Sequence, residues 1–246
     1  MNLIELGKTG VFVSRLCIGT GTGGCGGWSF QNRLSFKEFT QIMMIGFENG
    51  INFWDTSDDY GTHEHIKNAL KLITRDKIVL ADKIHANSAE KARKDVLKCL
   101  EELSVEQIDI MLLHEIDIAK NYDNSRPALA ELHKLKKEGF IRAVGVSTHS
   151  IDVLEKMVAD PLVEVVLTNF NFAEIHMDAG LKDYSNALKT AYDNKKGVYV
   201  MKTLGEGKLK DKYREAVKYN LSMEFIHSVS VGITSLKEIR ELIEFI

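Results

Sequence analysis

Cysteine and proline are both scarce in this 246-residue chain, and each shortage excludes something. Cys17, Cys25 and Cys99 are too few and too irregularly spaced for a disulfide framework or a C-x-x-C metal site, so a reducing cytoplasm is the expected setting. Two prolines in a chain that is 44% apolar and 27% charged exclude long Pro-rich linkers, and one compact domain over 1–246 is expected. No apolar run approaches a membrane span, and the start MNLIELGKTG lacks the basic and apolar stretches of a secretion signal, so no membrane partner is expected. An excess of positive charge is missing too. The formal charge is −3 and the lysines are scattered, which leaves no footprint for nucleic acid and points to small, mildly polar partners. No surface patch in the sequence marks an oligomer interface.

What the chain has is alternation. NLIEL and VFVS flank the turn GKTG and predict a β-hairpin at the N-terminus. Eight β-rich runs follow, at 15–19, 51–55, 77–81, 108–113, 141–146, 163–168, 197–202 and 229–233. Helical periodicity occupies 36–49, 63–74, 88–103, 127–138, 151–158, 180–194, 211–227 and 236–246, one segment after each run. Ser35 and Glu38, like Ser235 and Glu238, have capping-box spacing, and Pro127 falls in a first helical turn. Continuous apolar strands each followed by a helix imply a parallel sheet covered by helices, and eight such units can close into a (β/α)8 TIM barrel of the α/β class; an open doubly wound sheet is the competing topology.

Barrel enzymes carry their chemistry at the C-terminal ends of the strands. There the sequence sets Asp55 and Tyr60 after the second run, Asp82, Lys83 and His85 after the third, His114 and Glu115 after the fourth, and Ser147, Thr148 and His149 after the fifth. The set Asp55, Tyr60, Lys83 and His114 has a physical logic. A free phenol, with a pKa near 10, is a poor proton donor at neutral pH. An ammonium about 4 Å away attracts the phenolate by roughly 4 kcal/mol at an effective dielectric of about 20, worth up to about three pKa units before desolvation. Lys83 is therefore expected to make Tyr60 a competent acid, Asp55 to hold Lys83 charged and in place, and His114 to hydrogen-bond the substrate oxygen.

With their surroundings, these residues resemble the aldo-keto reductase family. NFWDTSDDYG resembles the motif in which Asp and Tyr stand five residues apart, VLADKI the strand bearing the family's lysine, and DIMLLHEID the strand bearing its histidine. IRAVGVSTHS resembles the strand whose serine contacts nicotinamide, and MNLIELGKTGVFVSRLCIGTGT the hairpin and first strand. The resemblance runs from Met1 to the end of the chain. It implies NAD(P)H-dependent reduction of a small aldehyde or ketone, with Tyr60 as general acid and a catalytic set of Asp55, Tyr60, Lys83 and His114. It also implies a cofactor cleft of Gly19, Thr20, Gly21, Asp55, Ser147, Thr148, Asn169, Met201, Lys202, Leu204, Gly205, Thr234, Ser235 and Glu238, and substrate contacts from Trp28 and His85.

Several cleft positions depart from the family pattern: Thr148 stands for asparagine, Met201 for the tyrosine that stacks on nicotinamide, and Glu238 near the arginine that grips the 2′-phosphate of NADP. Thr234, Ser235 and the start of the last helix remain as anion-binding groups, and NADP(H) is favoured over NAD(H). Members of the family usually continue into a segment that closes over the substrate, which this chain is expected to lack. The alternative is a non-catalytic nucleotide-binding or regulatory barrel of the same family.

Other readings are weaker. GTGTGG at 19–24 fits a dinucleotide fingerprint by letter, but no helix opens at its last glycine. His63 and His65, with His85, His114 and His149, suggest a metal-dependent hydrolase, yet HEH is read as a solvated helix start and no metal is expected. A Schiff base on Lys83 would leave Asp55 and Tyr60 without a role.

Overall fold

The eight β-rich runs close into a barrel of parallel strands in a computed structural model that describes residues 2–23, 26 and 29–244. Before it lie β1 (Ile4–Glu5) and β2 (Phe12–Val13), paired antiparallel as the expected hairpin. The barrel strands are β3 (Leu16–Gly19), β4 (Phe53–Asp55), β5 (Val79–Ile84), β6 (Ile108–Leu113), β7 (Ile141–Thr148), β8 (Val165–Asn169), β9 (Gly197–Met201) and β10 (Ser228–Gly232), and β10 pairs back onto β3. Parallel neighbours need long crossovers, which helices supply. They are α1 (Phe36–Glu48), α2 (His63–Ala69), α3 (Ala89–Leu103), α4 (Ala119–Asn124), α5 (Arg126–Lys137), α6 (Ile151–Ala159), α7 (Leu181–Asp193), α8 (Tyr213–Leu221) and α9 (Leu236–Ile243). None among the described residues is long and apolar enough to cross a membrane.

The strands alternate between two cores, because successive side chains point to opposite faces. Cys17, Phe53, Val79, Ala81, Ile110, Leu112, Ala143, Val165, Leu167 and Tyr199 fill the barrel. Their neighbours Leu16, Ile18, Trp54, Leu80, Ile84, Met111 and Leu113 pack outward under the helices. Each such Leu, Ile or Val side chain contributes about 1.5–3 kcal/mol by leaving water.

The hairpin seals the N-terminal mouth. Leu6, Val11 and Val13 join the inner cluster, the Lys8 N–H donates to Lys195 O at 2.9 Å, and the Gly7 N–H faces His227 Nε2 at 3.2 Å. Gly7 has φ +62°, and a Cβ there would lie 2.3 Å from Gly197 N, so a side chain is excluded twice over. The opposite mouth is left for chemistry.

Boundaries differ from the sequence reading where pairing outlasts the apolar pattern. β5 and β7 run on to Ile84 and Thr148, because Lys83 pairs in register with Leu112 and Ser147 with Leu167. Asp82, Lys83, Ser147 and Thr148 thus stand on strands instead of in loops. α2 ends at Ala69, α8 covers only Tyr213–Leu221, and α4 is an additional turn of helix between β6 and α5. The capping box at α1 is complete. At α9 Ser235 accepts the Glu238 N–H, but the Glu238 carboxylate reaches past the cap to Thr234.

Candidate active site

Alternation decides which polar side chains meet. With Phe53, Ala81 and Leu112 inside the barrel, Asp55, Lys83 and His114 are the next inward positions on β4, on β5 and just past β6, and all three are buried. Asp82 has the opposite parity and faces the helices, where it meets His63.

Lys83 Nζ donates to Asp55 Oδ1 at 2.7 Å and also to the Thr56 carbonyl. Asp55 Oδ2 accepts from the hydroxyl of Tyr199 at 2.9 Å, so both carboxylate oxygens are engaged inside the barrel. Tyr60, in the loop after β4, brings its ring to 4.7 Å from Lys83 Nζ, and its Oη lies 3.4 Å from His114 Nε2. The two rings meet edge to face at 5.6 Å. Gly21 lies against the other side of the phenol: a Cβ there would come 2.3 Å from Tyr60 Cε2 and 2.4 Å from Cζ. The four residues expected from the sequence therefore converge, on a ring whose position depends on a missing side chain.

Electrostatics correct one expectation. Burial raises Tyr60 to about 12, and the attraction of Lys83, second in size, offsets this only in part. The phenol is thus protonated at neutral pH but is not made acidic by the lysine, because desolvating a phenolate costs more than one nearby charge returns. Burial alone would lower Lys83, but Asp55 and Tyr60 beside it outweigh that and hold the ammonium charged. His114 is driven well below its ordinary value by burial first and then by Lys83 and His85, so its imidazole is neutral.

A second row of groups reaches His114 from outside. Ser57 Oγ lies 2.9 Å from His114 Nδ1 and donates to Asp59 Oδ1 at 2.8 Å. Asp59 Oδ2 is 3.3 Å from His85 Nε2, and the His85 ring lies 4.7 Å from that of His114. His85, half-exposed at the mouth, is raised by its bond to Asp59.

The remaining rim residues separate by parity. Gly19, Ser147, Asn169 and Met201 share the inward register of Asp55, Lys83 and His114. Ser147 Oγ accepts the Glu115 N–H at 3.0 Å and keeps its own hydrogen to give. Asn169 donates to the His176 carbonyl. Thr20 and Thr148 have the other parity and serve the scaffold: Thr20 donates to Asp55 O at 3.0 Å, and Thr148 to Asp117 Oδ1 at 3.2 Å. Beyond β9, Lys202 pairs with Glu206 at 2.7 Å, Leu204 packs on the core, and Gly205 turns at φ +53° against Ile175. Glu238 Oε2 accepts from Thr234 N at 2.6 Å and from Thr234 Oγ1 at 2.9 Å. Trp28 lies outside the described residues, as does Cys25.

His63 and His65 are not the solvated helix start expected: both are buried. His63 bridges Asp82 at 3.2 Å and Glu102 at 2.7 Å, and these partners overcome its desolvation and raise it to about 9. His65 Nε2 donates to Leu34 O at 3.0 Å. Sequence reasoning missed Tyr199, Ser57 and Asp59 as members of the site. The inward parity of Tyr199 in GVYVM was a usable signal; Ser57 and Asp59 stand inside DTSDDYG but gave none until His114 was seen beside them.

The comparisons with known proteins bear on the family and the fold. The model of the aldo/keto reductase family matches residues 15–244. A protein of Glycine max described as probable aldo-keto reductase 1 is 30% identical over 167 residues, which cover 62% of this chain and 46% of that protein, so the match spans about half the relative's length. The NADH-specific methylglyoxal reductase of Escherichia coli K12 is 26% identical over 201 residues, covering 72% of this chain and 61% of that one. The crystal structure of an aldo-keto reductase from Pseudomonas aeruginosa superposes with a TM-score of 0.83 at 21% identity, over 99% of this chain and 93% of that one, a likeness of fold. With a match across nearly all its residues and the barrel to go with it, this chain belongs to the aldo/keto reductase family.

Proposed function

We propose that the chain reduces a small aldehyde or ketone with a nicotinamide dinucleotide, Tyr60 giving the proton to the carbonyl oxygen. The observation that carries this reading is that Tyr60 has its ring 4.7 Å from a buried, charged Lys83 and its hydroxyl 3.4 Å from a neutral His114. When bound, the reduced dinucleotide supplies the hydride. Tyr60 holds the proton, and the ammonium 4.7 Å from its ring stabilises the negative charge that develops on the phenol as the proton leaves. Asp55, pinned by Tyr199, keeps Lys83 aimed. His85 at the mouth is positioned to contact the substrate, and oxidation of an alcohol would use the same groups in reverse.

The donor set fits a dinucleotide. Ser147 has a hydrogen to give to a carboxamide, and half-buried Met201 offers an apolar face for the ring. One observation favours NAD(H) over the NADP(H) expected from the family: the Glu238 carboxylate already occupies the N–H and hydroxyl of Thr234, so a 2′-phosphate there would meet a like charge and an occupied donor. The E. coli relative named as NADH-specific supports the same choice.

The test is to titrate NADH and NADPH by nicotinamide fluorescence and to assay small aldehydes, methylglyoxal among them. NADH binding with turnover is expected, and Tyr60→Phe should lower kcat by about 10²–10⁴-fold while cofactor affinity holds. Binding of neither cofactor, or full turnover by Tyr60→Phe, would end this reading.

A further inference from the structure

Ser57 has one hydrogen and several claimants. Its Oγ lies 2.8 Å from Asp59 Oδ1, 3.4 Å from Asp58 Oδ1, 3.3 Å from the Lys83 carbonyl and 2.9 Å from His114 Nδ1. The three oxygens among these can only accept. The shortest bond, to a carboxylate, is also the strongest, since bonds to an ionised acceptor are worth about twice neutral ones. Asp59 stays ionised: burial opposes this, but the bonds from His85 and Ser57 outweigh it and hold the carboxyl below its ordinary range. With its hydrogen committed to Asp59, Ser57 can only accept from His114, and of these four partners Nδ1 is the one with a hydrogen to offer. A neutral imidazole carries a single N–H. Nδ1 then has it, and Nε2, 3.4 Å from Tyr60 Oη, is left with a lone pair.

We infer that Asp59, acting through Ser57, fixes His114 as the Nδ1–H tautomer, so that His114 accepts a hydrogen bond from Tyr60 and sets the direction of the phenol hydrogen. Ser57 and Asp59 are thus positioning residues for the proton donor. This setting differs from the donation by His114 to the substrate oxygen that the sequence suggests. The consequence for catalysis rests on the function proposed above; the tautomer itself does not.

The experiment is long-range ¹H–¹⁵N correlation of histidine-labelled protein without cofactor or substrate, at neutral pH. His114, identified by its loss in His114→Gln, should show a protonated Nδ1 and a bare Nε2. Ser57→Ala and Asp59→Asn should shift it toward Nε2–H, and Ser57→Thr should restore the parent pattern. A parent protein with His114 protonated at Nε2 would overturn the inference without any variant having to fold, and so would a Ser57→Ala protein that keeps the parent tautomer. Absence of reductase activity would overturn the proposed function and leave the tautomer assignment standing.

Discussion

Replacing Gly21 with alanine tests whether the position of the acid is set by packing. The new Cβ would stand 2.3 Å from Tyr60 Cε2, 2.4 Å from Cζ and 2.6 Å from Cδ2, where ordinary carbon contacts begin at about 3.4 Å. The ring or the loop must therefore yield by about 1 Å. Gly21 does not occupy the left-handed region, so the backbone accepts alanine and the cost is steric. Overpacking of this kind costs about 1–3 kcal/mol of stability. For catalysis, a misplacement of about 1 Å costs on the order of 10²-fold. The assay is NADH oxidation with the best aldehyde of a panel, beside fluorescence titration of NADH. The expected result is a kcat about 100-fold down with NADH affinity nearly unchanged, because the clash falls on the phenol. Turnover within about threefold of the parent would refute the argument, since it would mean that the ring does not rely on that contact. A matching loss of cofactor affinity would place the damage in the cleft instead.

Two further outcomes follow from the buried charges. Lys83→Met strands the Asp55 carboxylate inside the barrel and should cost about 3–5 kcal/mol in urea unfolding, whereas the double change Asp55→Leu/Lys83→Met should recover most of it; a single-variant loss under about 1 kcal/mol would contradict the ion pair at 2.7 Å. His63, raised from 6.5 to about 9, stabilises the fold fully below its unfolded value, and that contribution disappears as pH rises through about 9. The stability gap between the parent and His63→Gln should therefore shrink by on the order of 3 kcal/mol between about pH 6 and pH 10, and a gap independent of pH would sink the assignment.

The site was legible to different depths for different residues. DTSDDYG, VLADKI and LLHEID carried Asp55, Tyr60, Lys83 and His114 in the sequence, and in the structure all four side chains meet. The strength of the acid was not legible. From the sequence a lysine beside a phenol can only lower its pKa; burial, which decides the balance at Tyr60, is a property of the packed mouth. His63 was misread for the same reason. HEH at a helix start has the composition of a wet surface, and only the outward parity of Asp82 on β5 turns it into a buried ion cluster. Glu238 had capping-box spacing, yet its carboxylate goes to Thr234, a choice fixed by how the β10 turn meets α9.

By itself the amino-acid order determined a parallel sheet under helices, because eight continuous apolar runs, each followed by a segment of about 3.6-residue period, can bury both strand faces no other way; closure into a barrel, against an open doubly wound sheet, was seen in the structure. It also determined which chemical groups stand at the C-terminal ends of the strands. The tertiary structure alone decided their states and partners: that Tyr199 crosses the barrel to Asp55, that Ser57 and Asp59 reach His114, that Gly21 makes room for the phenol ring. Those contacts join residues far apart in the chain, and the energies that set a proton's place depend on distance and exclusion of water, which exist only once the barrel has closed.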